Sequence, residues 1–212
     1  MSFVESVPAP WSPEAAAPCA LPAATPPSGF RLHRRDDEAR LATEQFIGRV
    51  YRQHLAARLA NFMPVLVSRA VSGRTCAAAG YRSAVEPLFL ERYLPQPVER
   101  MLAAAAGVRI AREQVVEVGQ FASQHPGEGR RLMLALARHL LDAGFRWVVI
   151  TATADLRRLF RHQGLTVLPL ADARRRCVGD EAASWGSYYR HAPKVIAGEL
   201  SVNLARLERG RR

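Results

Sequence analysis

Apolar and polar positions divide the chain from Phe30 onward into short strands and amphipathic helices. Strict alternation indicates a half-buried strand, and apolar residues three or four positions apart indicate a helix with one buried face. In the first half the pattern predicts a strand at 30–35, a helix up to about Leu59, a hairpin over 63–71 and 74–84, and a helix from Pro97 to Gly107. The hairpin predicts that the sheet begins with antiparallel strands.

The second half predicts a strand, a helix and a second strand in the order typical of a βαβ unit. The run 114–123 is strand-like, residues 129–143 carry a regular apolar stripe, and the run 147–151 is apolar throughout, as in a strand covered on both faces. A short helix before Gly164 and a strand near 166–170 follow. Since a crossover helix joins parallel strands, we predict an α/β (α+β) fold: a mixed central sheet of about six to seven strands flanked by helices.

The two ends differ from the centre in composition. Residues 1–29 hold half of the chain's 14 prolines, which disfavours helices and sheet ladders and predicts a disordered leader. We therefore expect a single folded domain over 30–205 and a basic tail over 206–212. The leader lacks a basic start and an apolar core, so it is not a secretion signal, and we expect a cytoplasmic protein.

Composition narrows the classes of function. The 212 residues are 49% hydrophobic, enough for a folded core, yet no apolar run reaches the ~20 residues of a membrane span. Three widely spaced cysteines predict neither a disulfide framework nor a metal site. A net charge of +11 favours acidic partners such as phosphates, an acidic carrier protein, nucleic acid or anionic lipid. Nucleic acid is disfavoured because no helix-turn-helix, zinc or RNA-binding pattern is present, and peripheral membrane contact stays open.

A glycine-containing turn opens the predicted helix at 129–143. Such a turn lets the backbone approach a ligand closely, and the first amides of a helix attract anions. The turn is therefore a candidate phosphate site; the alternative is an ordinary tight turn. The candidate binding residues are Gln124, His125, Gly127, Gly129, Arg130 and Arg131.

The spacing Gln-x-x-Gly-x-Gly at 124–129 resembles the acyl-CoA-binding motif of GCN5-related N-acetyltransferases (GNATs). The resemblance implies a GNAT-like architecture in which the strands at 115–118 and 147–151 splay apart to hold a pantetheine arm. It also implies acyl-CoA, or an acyl-phosphopantetheine carrier, as cosubstrate and no metal. GNATs often carry a tyrosine that protonates the leaving thiolate, and this chain has Phe160 at that position.

Several segments together resemble the thermostable hemolysin family: FIGRVYRQHLAA, FLERYLPQPVE, VVEVGQFAS, WVVITATADLRRLF and WGSYYRHAPKVIAG. That family is similar to acyl-homoserine-lactone synthases, whose Glu-x-Ser-Arg-Phe motif compares with residues 117–121. Gln120 replaces the arginine, so S-adenosylmethionine is not implied as the substrate. The resemblance implies an N-acyltransferase that moves an acyl group from acyl-CoA or acyl carrier protein to a small-molecule amine. The alternative is a membrane-active hemolysin that acts on bilayers without catalysis.

Three residues are candidates for catalysis. Glu117 is a carboxylate within an apolar strand, where burial raises the pKa and suits a general base or a group that orients the substrate. The alternatives are a structural ion pair with an arginine or an exposed strand face. Tyr188 and Tyr189 could supply the proton that Phe160 cannot, or could be part of the core or pocket wall. Apolar residues over 87–106 offer a wall for a long acyl chain.

Overall fold

The computed structural model describes residues 29–125 and 127–209. Its centre is one seven-stranded mixed sheet, which confirms the predicted fold class, and the strand order is β1-β2-β3-β4-β5-β7-β6. The predicted leader, apart from Gly29, lies outside the described residues. The strands are β1 (Phe30–His33), β2 (Val65–Val71), β3 (Arg74–Ser83), β4 (Val115–Ser123), β5 (Trp147–Ala152), β6 (Leu168–Asp172) and β7 (Lys194–Glu199).

Helices cover both faces of the sheet. They are α1 (Arg40–Leu55), α2 (Val98–Ala106), α3 (Glu128–Asp142), α4 (Ala154–His162) and α5 (Leu200–Arg209), with short 3-10 segments at Phe89–Tyr93, Arg112–Gln114, Arg175–Ala183 and Tyr188–His191. The stripe predicted on α3 is buried at Leu132, Leu136 and Leu140 in a core shared with β4, β5 and β7. On the opposite face, α1 packs on β2 and β3, while α2 and the Phe89–Tyr93 segment pack beside β5.

The last strand is the part of the sheet that the periodicity does not predict. β7 lies between β5 and β6 and pairs antiparallel with both. Its residues have both faces covered, so they lack the alternation that marks a half-buried strand. The expected boundary between domain and tail, at 205/206, lies within α5. Leu207 is only 3% exposed and packs the last turn of this helix against the core.

The parallel strands β4 and β5 separate after a short paired stretch. Their register joins Val115 to Trp147 and Glu117 to Val149, where the pairing ends. β4 continues to Ser123 along β3 instead, with a bulge at Gln120, whose φ of +54° is rare for a residue with a side chain. Because a bulge bends and twists its strand, β4 diverges from β5 and leaves a wedge between them.

Candidate active site

A polar cavity of about 350 Å³ opens beside the wedge on the α1 face of the sheet. Its floor is the middle of β4, and its walls come from the loop before β2, the Phe89–Tyr93 segment and the segment before β7. Predicted residues Glu117 and Tyr188 both line it. Other polar side chains that line it include Arg82, Arg92, Thr151, Glu181 and Trp185, and Tyr51, Phe62, Phe89 and Tyr93 form aromatic walls.

Glu117 is the buried carboxylate of this cavity and is 4% exposed. Its oxygens accept hydrogen bonds from the backbone amides of Phe89, at 3.0 Å, and Leu90, at 3.2 Å. Burial raises the pKa of Glu117 to about 7, although those two amides and the charge of Arg82 act in the opposite direction. The group therefore exchanges its proton near neutral pH, as a general acid–base group must.

Of the two predicted tyrosines, one lines the cavity. The Tyr188 hydroxyl donates to the backbone carbonyl of Thr151 at 2.9 Å, and burial raises the pKa of Tyr188 well above its ordinary value. Tyr189 does not line this cavity; its hydroxyl lies 2.8 Å from that of Tyr93, and burial raises the pKa of Tyr189 too. Both hydroxyls thus hold their protons at neutral pH.

The bulge at Gln120 fixes the loop that covers the cavity. The Gln120 amide accepts from the Met63 backbone at 3.0 Å and donates to the Asn61 carbonyl at 2.7 Å. Opposite it, Gly80 and Gly119 face each other across β3 and β4, and a Cβ at either would come within 2.7 Å of Met63. Gln120, which stands where the lactone synthases have an arginine, therefore has a structural role that the sequence does not reveal.

An apolar cavity of about 100 Å³ lies on the other face of the same wedge, beneath α3, α4 and α5. Val118 lines both cavities. On β5, Ile150 lines the apolar cavity and Thr151 lines the polar cavity. Phe160, at the position of the GNAT tyrosine, lines the apolar cavity. The range 87–106, the expected wall for an acyl chain, divides between core and cavity. Leu90, Val98 and Leu102 are fully buried against β4 and β5, while Phe89 and Tyr93 line the polar cavity.

The glycine turn stands at the start of α3, as predicted, but its arginines have other partners. Gly127 has a φ of +81°, which favours glycine, and it precedes the first helical residue, Glu128. The Glu128 amide donates to the His125 carbonyl at 3.2 Å. Arg131 forms an ion pair with the Glu128 carboxylate. Arg130 donates to Gln163 at 2.7 Å, away from the turn.

The remaining turn residues divide between packing and an exposed groove. Gly129 is buried, and a Cβ there would lie 3.3 Å from Phe121 and from Ser123, so the glycine allows α3 to approach β4 closely. Gln124 and His125 are exposed and line a groove between α1 and the β2–β3 hairpin. Arg130 instead contacts Gln163 and the Leu207 carbonyl, near the ends of α4 and α5. The predicted binding residues therefore do not form a single cluster.

Two features of the candidate site escape sequence analysis. Arg82 lies directly opposite Glu117 in the β3–β4 register, which only the pairing of the strands reveals. Glu128 is buried and forms an ion pair with Arg69 at 2.5 Å. Its signal in the sequence is an acidic residue in the first turn of a helix, a common feature at helix starts.

A serine–histidine–aspartate chain elsewhere in the sheet is structural. His33 Nε2 lies 2.8 Å from Ser68 Oγ, and His33 Nδ1 lies 3.1 Å from an Asp37 carboxylate oxygen. Ser68 is only 3% exposed within β2, between β1 and β3. A nucleophile must reach its substrate, so these hydrogen bonds serve to hold the start of α1 against β1 and β2.

The model of the thermostable hemolysin family matches residues 33–204 of the chain. The chain belongs to the thermostable hemolysin family. No curated protein matches it. Among residues 29–125 and 127–209, no helix is both long and apolar enough to span a bilayer, and the same ranges contain no cluster of three or more metal-ligating side chains.

Solved structures show which fold this hemolysin-family chain shares. TofI, in a ternary complex with an inhibitor and MTA, has 18% identity and a TM-score of 0.57 over 84% of this chain and 96% of that chain. FeeM, an N-acyl amino acid synthase from uncultured soil microbes, has 16% identity and a TM-score of 0.57 over 86% and 95%. BjaI, a CoA-dependent acyl-homoserine lactone synthase with SAM and isopentyl-CoA, has 14% identity and a TM-score of 0.55 over 84% and 89%. The predicted GNAT-like acyltransferase fold is confirmed.

Proposed function

We propose that this thermostable hemolysin-family protein is an N-acyltransferase that moves an aliphatic acyl group from a phosphopantetheine thioester to an amine. The observation that carries the proposal is the position of Glu117 beside the wedge, where a polar and an apolar cavity meet at Val118. A polar acceptor and an apolar acyl chain need two such compartments on either side of the reacting carbonyl. The fold shared with an N-acyl amino acid synthase and a lactone synthase supports the same chemistry.

The glycine turn is the proposed site of the donor's phosphate. The Glu128 and Arg131 amides donate to the carbonyls of His125 and Gly127, so the amides proposed to face the phosphate are those of Gly127 and Gly129. The dipole of α3 favours an anion at this end of the helix. Glu128 is neutralised by Arg69 and Arg131, so its charge does not oppose the anion. The β4 residues from Glu117 to Ser123 span ~20 Å at the rise of a strand, a distance that suits a long arm such as pantetheine.

The wedge is the proposed site of the thioester. Where β5 diverges, β4 amides directed toward it lose their sheet partners, and such amides can stabilise the oxyanion of a tetrahedral intermediate by ~3 kcal/mol. The amine nitrogen attacks the thioester carbonyl, the C–N bond forms and the C–S bond breaks. Glu117 accepts the proton that the nitrogen loses.

Relative pKa values favour Glu117 over Tyr188 as the proton source for the leaving thiolate. A thiol has a pKa of about 8.5, so protonated Glu117, with a pKa of about 7, can protonate the thiolate. Tyr188, whose pKa is raised well above 10, is a weaker acid than the thiol it would have to protonate. We propose that Glu117 serves first as base and then as acid, while Tyr188 holds β5 through the Thr151 carbonyl.

The experiment is an acyl-transfer assay with acetyl, octanoyl and dodecanoyl donors, each on CoA and on acyl carrier protein, and with a mixture of amines. Thiol release and amide formation are followed together. We expect turnover with the longer chains, and a loss of about 10²- to 10⁴-fold in Glu117→Gln. Glu113→Gln, an exposed glutamate-to-glutamine change just before β4, is the matched control and retains activity.

Thiol release with none of the donors would refute the proposed transferase. Comparing CoA with acyl carrier protein also tests the expected partner, because the net charge of +11 favours docking of an acidic protein. Dye release from liposomes by the pure protein, without donor or amine, would instead support the membrane-active alternative.

A further inference from the structure

Three buried polar atoms in the described ranges have no hydrogen-bond partner, and all three belong to side chains that line the polar cavity. They are Nε of Arg82, Oγ1 of Thr151 and Nε1 of Trp185. A buried polar group without a partner costs about 1–3 kcal/mol, so such groups are rare in folded proteins. Three of them around one cavity indicate a site where a ligand supplies the missing partners.

We propose that the acceptor is an α-amino acid, with its carboxylate bound by Arg82 and Trp185 and its amine beside Glu117. This inference rests on the proposed acyl transfer and specifies the class of amine. The apolar compartment beyond Val118 is left for the acyl chain.

Arg82 supplies a positive charge that no described carboxylate neutralises through an ion pair. One terminal nitrogen donates to the Pro87 carbonyl at 2.9 Å, and Nε is buried without a partner. Arg92, the other arginine of the cavity, is paired with Glu181 at 2.5 Å. A guanidinium stays charged at any pH of interest and matches a carboxylate through parallel N–H donors. The cavity is therefore complementary to a single anionic group at Arg82.

The spacing of Arg82 and Glu117 favours an α-amino acid over other anionic amines. The two residues are direct partners across β3 and β4, so their Cβ atoms lie ~5 Å apart on one face of the sheet. Glu117 is held by backbone amides rather than by an ion pair with Arg82. A ligand that reaches both needs its amine and its anion close together, as in an α-amino acid, where one carbon separates them. A phosphate, with its greater charge, would be repelled by ionised Glu117.

Trp185 and Thr151 complete the proposed site. An indole N–H can only donate, so it requires an acceptor such as a carboxylate oxygen. Trp185 is held by ring contacts to Phe89, at 5.6 Å between centroids, and to Tyr188, at 5.3 Å. Thr151 lies on β5 just past the last pair with β4, where its hydroxyl can contact the thioester end of the substrate.

The test compares acceptors that differ only at the carboxylate: leucine with leucinamide and isopentylamine, and phenylalanine with its amide and phenethylamine. Each is assayed with dodecanoyl-CoA and dodecanoyl carrier protein for kcat and KM. Binding of each acceptor to the full-length protein is measured in parallel by calorimetry in the presence of CoA. The variants are Arg82→Gln, Arg82→Lys and Trp185→Phe, which deletes the N–H and keeps an aromatic ring. Exposed Arg109→Gln is the control.

We expect at least one amino acid to have a kcat/KM about 10- to 100-fold above that of its amide and amine, the range of a charge-assisted hydrogen bond. Arg82→Gln should remove that preference through KM, Arg82→Lys should restore part of it, and the exposed control Arg109→Gln should leave both the preference and the turnover unchanged. Equal acylation with and without the carboxylate would overturn the inference while the transferase stands. If no acceptor is acylated, the transferase fails, and calorimetry decides the site: carboxylate-dependent binding lost in Arg82→Gln supports it, and its absence overturns it.

Discussion

Replacing Glu117 by glutamine should change how the stability of the protein depends on pH. Burial raises the pKa of Glu117 from 4.5 to about 7. The folded state therefore keeps a proton that the unfolded chain releases, and stability falls as the pH rises through the window from 4.5 to 7. At 1.36 kcal/mol per pKa unit, the loss amounts to about 3 kcal/mol over the full titration.

Glutamine cannot ionise, so Glu117→Gln lacks this loss. The amide also disturbs the hydrogen bond from Phe89 or Leu90, but that cost is the same at every pH. The free energy of unfolding of the variant relative to the wild type should therefore rise by about 2.5 kcal/mol between pH 5 and pH 8. Other titrating groups are common to both proteins and cancel in the difference.

Urea denaturation of both proteins at pH 5, 6, 7 and 8 measures this difference, with Glu113→Gln as a control that should parallel the wild type. If the wild type and Glu117→Gln lose stability in parallel, the carboxylate ionises at its ordinary pKa. The same result would remove the physical reason for assigning Glu117 as a base near neutral pH.

Three further predictions concern the wedge and its surroundings. Gly80→Ala should destabilise the fold by about 1–3 kcal/mol in denaturation experiments, because the new Cβ meets the Met63 Cβ at 2.7 Å; unchanged stability would show that the covering loop is not tightly packed. Ala137→Leu partly fills the apolar cavity and should lower kcat/KM for dodecanoyl donors at least ~10-fold relative to acetyl donors; an equal effect on both would place the acyl chain elsewhere. Tyr188→Phe should lose about 1–2 kcal/mol of stability and keep turnover within about tenfold, since only a buried hydrogen bond is removed; a loss of 100-fold or more would make Tyr188 the acid.

Local patterns were enough to predict most of the sheet and the helix after the glycine turn. They work where one face of an element is buried, as in α3, because the period of the apolar residues then reports that face. They fail at β7, where both faces are covered and the alternation disappears. They also fail at Gln120, since a bulge is set by the pairing of two strands and not by the residue alone.

The candidate site was predictable only as far as single residues carry a signal. Glu117 stands out as a carboxylate in an apolar strand, and the structure places it in the cavity. Arg82 and Trp185 carry no such signal, because their importance comes from β-strand register and from a segment more than sixty residues further along the chain. Arg131 is the opposite case. Its position in the sequence suggests that it binds a phosphate, but in the structure it forms an ion pair with buried Glu128.

The most direct measurement of the central claim is a crystal structure of the protein with a thioether analogue of dodecanoyl-CoA. We predict that the sulfur lies between Val118 and Ile150, near Glu117, with the phosphates at the start of α3 and the alkyl chain beneath α3 and α5. A pantetheine arm bound elsewhere, or β4 and β5 paired beyond Glu117 in the complex, would contradict the account.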